Sequence, residues 1–305
     1  MNTLLGISLK LLATLTLSLM AALVKTVSET VPTGQIVFYR SFFALVPLLI
    51  WLGWRNELID AVRTRNFVGQ MRRSLSSTAG MACGFAALGY LPLPDATAIG
   101  YFTPIVTTVL AAIILGETVR GARWFALFLG FFGMIVMLLP YFGAGGHAVA
   151  GDNEARGAML GVAAAVFSGY AAIEVRRLAQ SERTGAIVFY FSSTAALFGA
   201  LTAFYAWAPV TPYQVMLLVL SGILGGIGQI LLTTSYRYAT ISTLAPFDYM
   251  SLIWAVALGF VVFGDIPHWL VLAGAALVIT AGMLVILQER RGDPTRNDTK
   301  LPPPP

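Results

Sequence analysis

The second half of the chain repeats the first half. The segment GQIVFYRS begins at Gly34 and GAIVFYFS begins at Gly185, a displacement of 151 residues in a chain of 305. The match returns at a displacement of 148 residues, where Tyr101 and Gly116-Glu117 correspond to Tyr249 and Gly264-Asp265. Duplication inside an apolar chain is typical of transporters, which hold one substrate site between two related halves.

The composition places most of the chain in lipid. Hydrophobic residues make up 57% of the sequence and charged residues 11%, with a mean hydropathy of +0.79, whereas a soluble domain has roughly a quarter charged residues. A helix that crosses a bilayer needs about 20 apolar residues. Charges and Pro/Gly breaks divide the chain into ten such stretches: 3–26, 33–54, 72–91, 95–115, 121–140, 157–177, 184–207, 212–236, 242–263 and 268–288. The sequence therefore predicts an all-α integral membrane protein with the lipid bilayer as its surroundings.

Five spans fall in each half, and this odd number turns the second half upside down relative to the first. The predicted fold is therefore ten transmembrane helices arranged as two inverted five-helix repeats. The first repeat takes residues 1–142 and the second 157–288, joined by a connecting loop at 143–156. Residues 289–305 are polar and end in LPPPP, so they are predicted to form a disordered cytoplasmic tail.

The basic residues predict the orientation, because cytoplasmic loops collect Lys and Arg. Lys25 and Arg156 lie on one side of the predicted spans, and Lys10 and Arg40 lie within spans. The other 15 of the 19 basic residues fall on the opposite side: Arg55, Arg63, Arg65, Arg72, Arg73, Arg120, Arg123, Arg176, Arg177, Arg183, Arg237, Arg290, Arg291, Arg296 and Lys300. We predict a multi-pass inner-membrane protein with both termini cytoplasmic. The net charge of +5 is a topology signal and predicts no nucleic-acid partner.

Several chemistries lack the residues that they need. The chain has two histidines, His147 and His268, and one cysteine, Cys83, which leaves no zinc site and no serine–histidine pair. It has no GxxxxGK[ST] phosphate loop. The sequence therefore predicts no enzyme activity, no catalytic residue, no metal and no cofactor.

Tyr101 and Tyr249 are the leading candidates for substrate binding. They are repeat equivalents on the fourth and ninth spans, beside Pro104 and Pro246. An aromatic ring with a hydroxyl suits a partly dry cavity, so we expect both rings to line the substrate path from opposite sides, Tyr101 nearer the periplasm. Each proline is assigned a structural role: it either kinks its helix or frees a backbone carbonyl beside a cavity.

Ionisable groups within a span are costly, about 2.5–3.5 kcal/mol at the centre, so each needs a partner or a function. For Arg40 we favour a structural role, bracing neighbouring helices, over substrate contact. Asp248 is either solvated at the interface or couples protons or substrate. Ser18, Ser168, Gln229 and Ser235 are candidate hydrogen-bonding groups inside the cavity, although each can equally tie helix to helix.

Three motifs carry a family resemblance. They are VFYRSFFAL around Arg40, DATAIGYFTPIVTTVLAAIILGE from Asp95 to Glu117, and APFDYMSLIWAVALGFVVFGD from Ala245 to Asp265. The chain resembles the EamA family of the drug/metabolite transporter superfamily over both halves, and it is most similar to amino-acid exporters of the aromatic-amino-acid type. The resemblance implies a carrier without naming its cargo. The second half has Phe191 where the first has Arg40, so any role of that arginine is asymmetric.

The repeat, the composition and the resemblance together predict a membrane carrier with a small-molecule substrate. It is expected to export amino acids or similar small metabolites by alternating access. The alternatives are an uptake carrier for a vitamin-like aromatic solute such as riboflavin, and a membrane pore that is not a carrier. Saturable flux would distinguish a carrier from a pore.

Overall fold

The computed structural model describes residues 3–115, 121–142, 152–178, 182–238 and 244–292, and in these ranges it contains helices and no strand. A 3₁₀ turn, Leu139–Phe142, follows α7; a second, Ala245–Tyr249, precedes α12; and a π-helical turn, Gly259–Phe263, follows α12. The α-helices are α1 Thr3–Ser28, α2 Thr33–Trp54, α3 Leu58–Val62, α4 Phe67–Leu88, α5 Leu93–Gly100, α6 Thr103–Leu115, α7 Gly121–Leu138, α8 Asp152–Leu178, α9 Thr184–Leu201, α10 Ala203–Ala206, α11 Pro212–Tyr238, α12 Met250–Leu258 and α13 Trp269–Gly292.

The helices have the length and surface of a membrane protein. Within the part of the chain that the structure describes, six stretches are long and apolar enough to cross a membrane: Leu4–Ser28, Thr33–Trp54, Leu93–Ile114, Asn153–Val175, Gly185–Ala206 and Pro212–Ser235. Three shorter apolar stretches accompany them: Phe128–Tyr141, Phe247–Phe263 and Trp269–Leu284. Large apolar side chains such as Phe128, Phe132 and Phe260 are more than half exposed. A surface of this kind is stable only against lipid or another apolar partner.

Three helices extend beyond the spans predicted for them. The third span was predicted at 72–91, but α4 begins at Phe67, where the Asn66 side chain accepts a hydrogen bond from the backbone of Gly69 and caps the helix. The second repeat begins earlier than predicted, because α8 starts at Asp152 within the predicted loop; acidic side chains in a first turn favour the helix. The predicted tail loses its first residues to α13, which continues to Gly292. The remainder of the loop and of the tail lies outside the described residues.

The helices of the two halves are interleaved. Helix α1 packs along α11, and α4 packs along α8. Helix α2 contacts both α9 and α11, while α9 also contacts α4. Helices α7 and α13 pack against each other, and a Cβ atom added to Gly274 of α13 would lie 2.5 Å from the backbone oxygen of Gly133 on α7. These two helices are therefore in backbone contact.

Loop contacts define two ends of the bundle. At the first, which we call the Lys25 end, Lys25 Nζ donates to the Leu91 carbonyl at 2.9 Å and Gln214 Nε2 donates to Thr30 Oγ1 at 2.9 Å. At the opposite end, the Lys10 end, Glu182 Oε1 accepts three hydrogen bonds, from Thr64 Oγ1 at 2.9 Å and from the backbone nitrogens of residues 65 and 66 at 2.7 and 2.9 Å. Each contact joins loops that an alternating up-and-down path of ten spans places at one end.

Candidate functional site

The fourth predicted span is interrupted in the structure, and the ninth is a continuous helical segment that changes its helix type. Helix α5 ends at Gly100 and α6 begins at Thr103, while the ninth span starts as the 3₁₀ turn Ala245–Tyr249 and continues as α12. Pro104 is the second residue of α6, and Pro246 is the second residue of the 3₁₀ turn. Proline is tolerated in a first turn because its missing N–H would have no partner there. The two prolines therefore lie where a new helical segment begins.

The interruption of the fourth span and the first turn of the ninth span meet at the tyrosine pair. The rings of Tyr101 and Tyr249 lie edge to face with centroids 5.3 Å apart. Tyr101 is 9% exposed, and its hydroxyl lies 2.7 Å from Ser251 Oγ. The Tyr249 hydroxyl faces Gly282 of α13, where an added Cβ atom would lie in its place. Because the rings touch, no open path passes between them in this conformation.

A buried ion pair lies beside the tyrosines. Lys10 Nζ of α1 is 2.5 Å from Asp248 Oδ1, and the Lys10 side chain is 1% exposed while that of Asp248 is 52% exposed. The backbone carbonyl of Asp248 accepts hydrogen bonds from Ser251 Oγ at 2.7 Å and from the Tyr101 hydroxyl at 3.5 Å. The ion pair and the tyrosine contact thus connect α1, the fourth span and the ninth span at a single place.

The four uncharged candidates lie elsewhere. Ser168 of α8 sits against Gly80 of α4, where an added Cβ atom would lie 2.9 Å from the serine Oγ, so this side chain lies at a helix–helix contact. Ser235 is fully buried, and its Oγ donates to the Leu232 carbonyl of its own helix at 2.7 Å. Ser18 is buried in α1, and Gln229 is half-buried in α11. Among the described residues, no hydrogen bond joins any of these four side chains to the tyrosine pair.

Arg40 is buried at 6% exposure in the middle of the interleaved helices. Its guanidinium carbon lies 5.7 Å from the centroid of the Phe191 ring, the residue that replaces it in the second repeat. Within the part of the chain that the structure describes, its guanidinium group makes no hydrogen bond to a neighbouring carbonyl and no salt bridge, and its Nε atom is buried without a partner.

Two residues of this region were missed from the sequence. Lys10 was placed within a span without a role, although it and Asp248 begin spans at the same predicted end, and this shared end was a usable signal. Arg73 was counted as a loop residue because its span was predicted to begin at 72; in the structure it is two turns into α4 and 7% exposed.

A second cluster of charged residues lies at the Lys25 end. The Tyr141 hydroxyl donates a short hydrogen bond to Asp95 Oδ2, and Asp265 Oδ2 accepts from the backbone nitrogen of Leu93 at 3.4 Å. Lys25 lies over the Phe263 ring at 5.6 Å from its centroid. Among the described residues no group of three His, Cys, Asp or Glu side chains could hold a metal ion.

Known proteins resemble the chain over almost its whole length. The pseudopaline exporter CntI of Pseudomonas aeruginosa is 28% identical over 90% of this chain and 94% of its own length. The S-adenosylmethionine uptake transporter of Rickettsia prowazekii is 23% identical over 97% of both chains. The riboflavin transporter of Rhizobium johnstonii is 28% identical over 87% of this chain and 85% of its own length.

The fold and the family are also matched. A solved crystal structure shares the fold with a TM-score of 0.66 at 19% identity, and it covers 96% of this chain and 98% of its own. The EamA-like transporter family matches residues 4–139 and, a second time, residues 155–287. With both halves matched, and with apolar helices long enough to span a membrane, the chain belongs to the EamA-like transporter family.

Proposed function

We propose that this protein is an alternating-access carrier that exports amino acids or similar small metabolites. The observation that carries the proposal is the contact between Tyr101, at the interruption of the fourth span, and Tyr249, near the start of the ninth, beside the ion pair of Lys10 and Asp248. Transporters form substrate sites from discontinuous helices, whose freed backbone groups and half-helix ends contact the cargo. The contact between the rings would then be the closed layer of one state.

The proposed architecture is ten transmembrane helices in two inverted repeats, residues 1–142 and 157–288, with the α8 start extending the second. The paired packing of α1 with α11 and of α4 with α8 supports it, because exchanging the two repeats converts one pair into the other. The double family match to residues 4–139 and 155–287 supports the same division.

The proposed location is the inner membrane, with both termini in the cytoplasm and the Lys10 end facing inward. The excess of Lys and Arg on this side supports the orientation. A reporter enzyme that is active only outside the cytoplasm, fused after residue 305, should give no signal. The same reporter fused into the loop after residue 30 should be active, and the reverse pattern would invert the topology.

Export is supported by the resemblance to the pseudopaline exporter. Carrier transport is tested by flux. Purified protein in liposomes should show saturable counterflow of a labelled amino acid. Tyr101→Ala and Tyr249→Ala should both lower this counterflow without loss of folded protein. Gly100→Ala is the matched control, because an added Cβ atom there meets nothing within 4 Å. Flux that rises linearly with concentration would indicate a pore and would contradict the proposal.

The second candidate is a carrier for a flat aromatic solute. The resemblance to a riboflavin transporter favours it, as does the pair of aromatic rings where the fourth and ninth spans meet. Riboflavin should then compete with the labelled amino acid, and it should show counterflow of its own. Saturable riboflavin counterflow in the absence of any amino-acid flux would establish this candidate in place of the first.

A further inference from the structure

Helices α2, α4 and α9 enclose a polar cluster that the tyrosine site does not use. It comprises Arg40 and Ser41 of α2, Gln70, Arg73 and Ser74 of α4, and the ring of Phe191 on α9. Gln70, Ser41 and Ser74 are fully buried, and the two arginines are 6% and 7% exposed. Spacings of three and four residues place Gln70, Arg73 and Ser74 on one face of α4.

Six atoms of this cluster are buried without a hydrogen-bond partner. They are Arg40 Nε, Ser41 Oγ, both polar atoms of the Gln70 amide, Arg73 Nε and Ser74 Oγ. An unsatisfied buried polar group destabilises the folded protein, and most buried polar atoms in proteins have a partner. A cluster of orphaned polar atoms on neighbouring helices is therefore costly unless something else supplies their partners.

The cluster also carries uncompensated positive charge. Both guanidinium groups lie on the Phe191 ring, with carbon-to-centroid distances of 5.7 Å for Arg40 and 4.5 Å for Arg73. Their charges repel each other. One hydrogen bond, from Arg73 Nη1 to the Ile187 carbonyl at 3.2 Å, is the sole one that joins either group to another described residue. No described carboxylate forms a salt bridge with either arginine.

Helix α11 leaves room for this arrangement. A Cβ atom added to Gly225 would lie 3.0 Å from Arg40 Nε and 3.0 Å from Met20 Sδ. A larger residue at this position would press on the guanidinium group and limit its movement. The glycine therefore lets the Arg40 guanidinium group lie directly against α11.

We propose that Arg40 and Arg73, with the Gln70 amide, form a binding site for a carboxylate. A carboxylate accepts several hydrogen bonds at once and pairs with guanidinium groups in a fork geometry. It would neutralise part of the positive charge and satisfy the orphaned Nε donors. The inference extends the proposed function, on which it rests for the identity of the ligand: the site would select cargo that carries a carboxylate.

The first test is thermal unfolding of the purified full-length protein, and it does not depend on transport. At constant ionic strength, acetate replaces methanesulfonate as the anion. Ligand that binds the folded state alone raises Tm, and at ten times the dissociation constant we expect a rise of about 3 °C for a chain of this length. Above the dissociation constant, the rise should grow with the logarithm of the acetate concentration.

The variants assign this rise to the cluster. Arg40→Gln and Arg73→Gln should each abolish the acetate-dependent rise, whereas Arg73→Lys keeps the charge and should retain part of it. Arg72→Gln is the matched control, because Arg72 directly precedes Arg73 on α4 and is exposed. It should respond to acetate as the unaltered protein does.

Three results would overturn the carboxylate site. One is an equal Tm in acetate and methanesulfonate for the unaltered protein, a comparison that does not require any variant to fold. The second is a rise with chloride and none with acetate, which would indicate a small inorganic anion. The third is an acetate response that survives both Arg→Gln substitutions.

A flux experiment separates this inference from the proposed function. Counterflow is compared for an amino acid and for the amine that lacks its carboxylate. If the cluster selects carboxylates, the amine should lose counterflow at least tenfold in the unaltered protein, and Arg73→Gln should reduce that discrimination. Equal flux of both compounds would refute the selectivity and leave the carrier function intact, whereas absence of all flux beside a retained acetate response would refute the proposed function alone.

Discussion

Removing Asp248 should destabilise the protein more than removing its partner, Lys10. The two residues form an ion pair of 2.5 Å, but their surroundings differ: the Lys10 side chain is 1% exposed and the Asp248 side chain is 52% exposed. In Asp248→Asn the buried ammonium group loses its carboxylate. In Lys10→Met the carboxylate keeps its access to the outside, and the apolar methionine fits the buried position of the lysine stem.

The exposures set the magnitudes. Breaking a buried pair so that a charge stays buried costs about 3–5 kcal/mol, and this range applies to Asp248→Asn. Losing the partner of a half-exposed carboxylate costs about 0.2–1 kcal/mol, as for exposed pairs. With about 2 °C of Tm for each kcal/mol in a chain of this length, we expect Tm to fall by about 6–10 °C in Asp248→Asn and by about 2 °C or less in Lys10→Met.

Each variant is fused to a fluorescent protein and heated, and size-exclusion chromatography then measures the fraction that remains monodisperse. The double variant, Lys10→Met with Asp248→Asn, should be more stable than Asp248→Asn alone, because it no longer buries an ammonium group that has lost this carboxylate. If Tm falls equally in both single variants, or if the fall in the double variant is the sum of the two, the ion pair does not act as this geometry requires.

Further predictions follow from contacts at other places. Gly274→Ala should lower the free energy of unfolding by about 1–3 kcal/mol, because its Cβ atom would lie 2.5 Å from a backbone oxygen of α7, and Gly100→Ala should change it little; similar Tm values would contradict the close packing. Glu182→Ala should speed tryptic cleavage near Arg65, since three hydrogen bonds to that loop are lost; an unchanged rate would show that the loop is held otherwise. Tyr101→Phe should cost about 1 kcal/mol of stability, because the contact with Ser251 Oγ is lost. Transport should fall less than in Tyr101→Ala. A larger loss of transport in Tyr101→Phe would show that the ring is not part of the substrate path.

The sequence predicted the helices well where their composition is apolar. Hydropathy identifies a span by its transfer energy into lipid, so α1, α2 and α11 were predicted within a few residues of their ends. Helix α4 departs from this rule because it places Gln70, Arg73 and Ser74 towards other helices. A polar residue that is buried among protein neighbours does not contact lipid. Hydropathy alone does not distinguish such a residue from one that faces lipid.

The candidate site could be predicted in part. The repeat register pointed to Tyr101 and Tyr249, and the structure brings these two rings into contact. It did not predict Lys10 as the partner of Asp248, because the packing of α1 against the ninth span is a tertiary contact with no pattern in the local sequence. The orphaned atoms around Arg40 and Arg73 were equally beyond reach, since a missing partner is defined only when every neighbour is placed.

The two repeats hold the same pair of positions by different chemistry. Lys10 corresponds to Gly161 at the displacement of 151 residues, and Asp248 corresponds to Gly100 at 148. Where the first pair is an ion pair, the second has Gly161 packed on Ile99, the neighbour of Gly100, with an added Cβ atom only 3.0 Å from its Cγ2 atom. A half-exposed charge interaction weakens with salt, while apolar packing does not. If access alternates as proposed, salt should therefore weaken the contact between Lys10 and Asp248 and leave the contact between Gly161 and Ile99 unaffected.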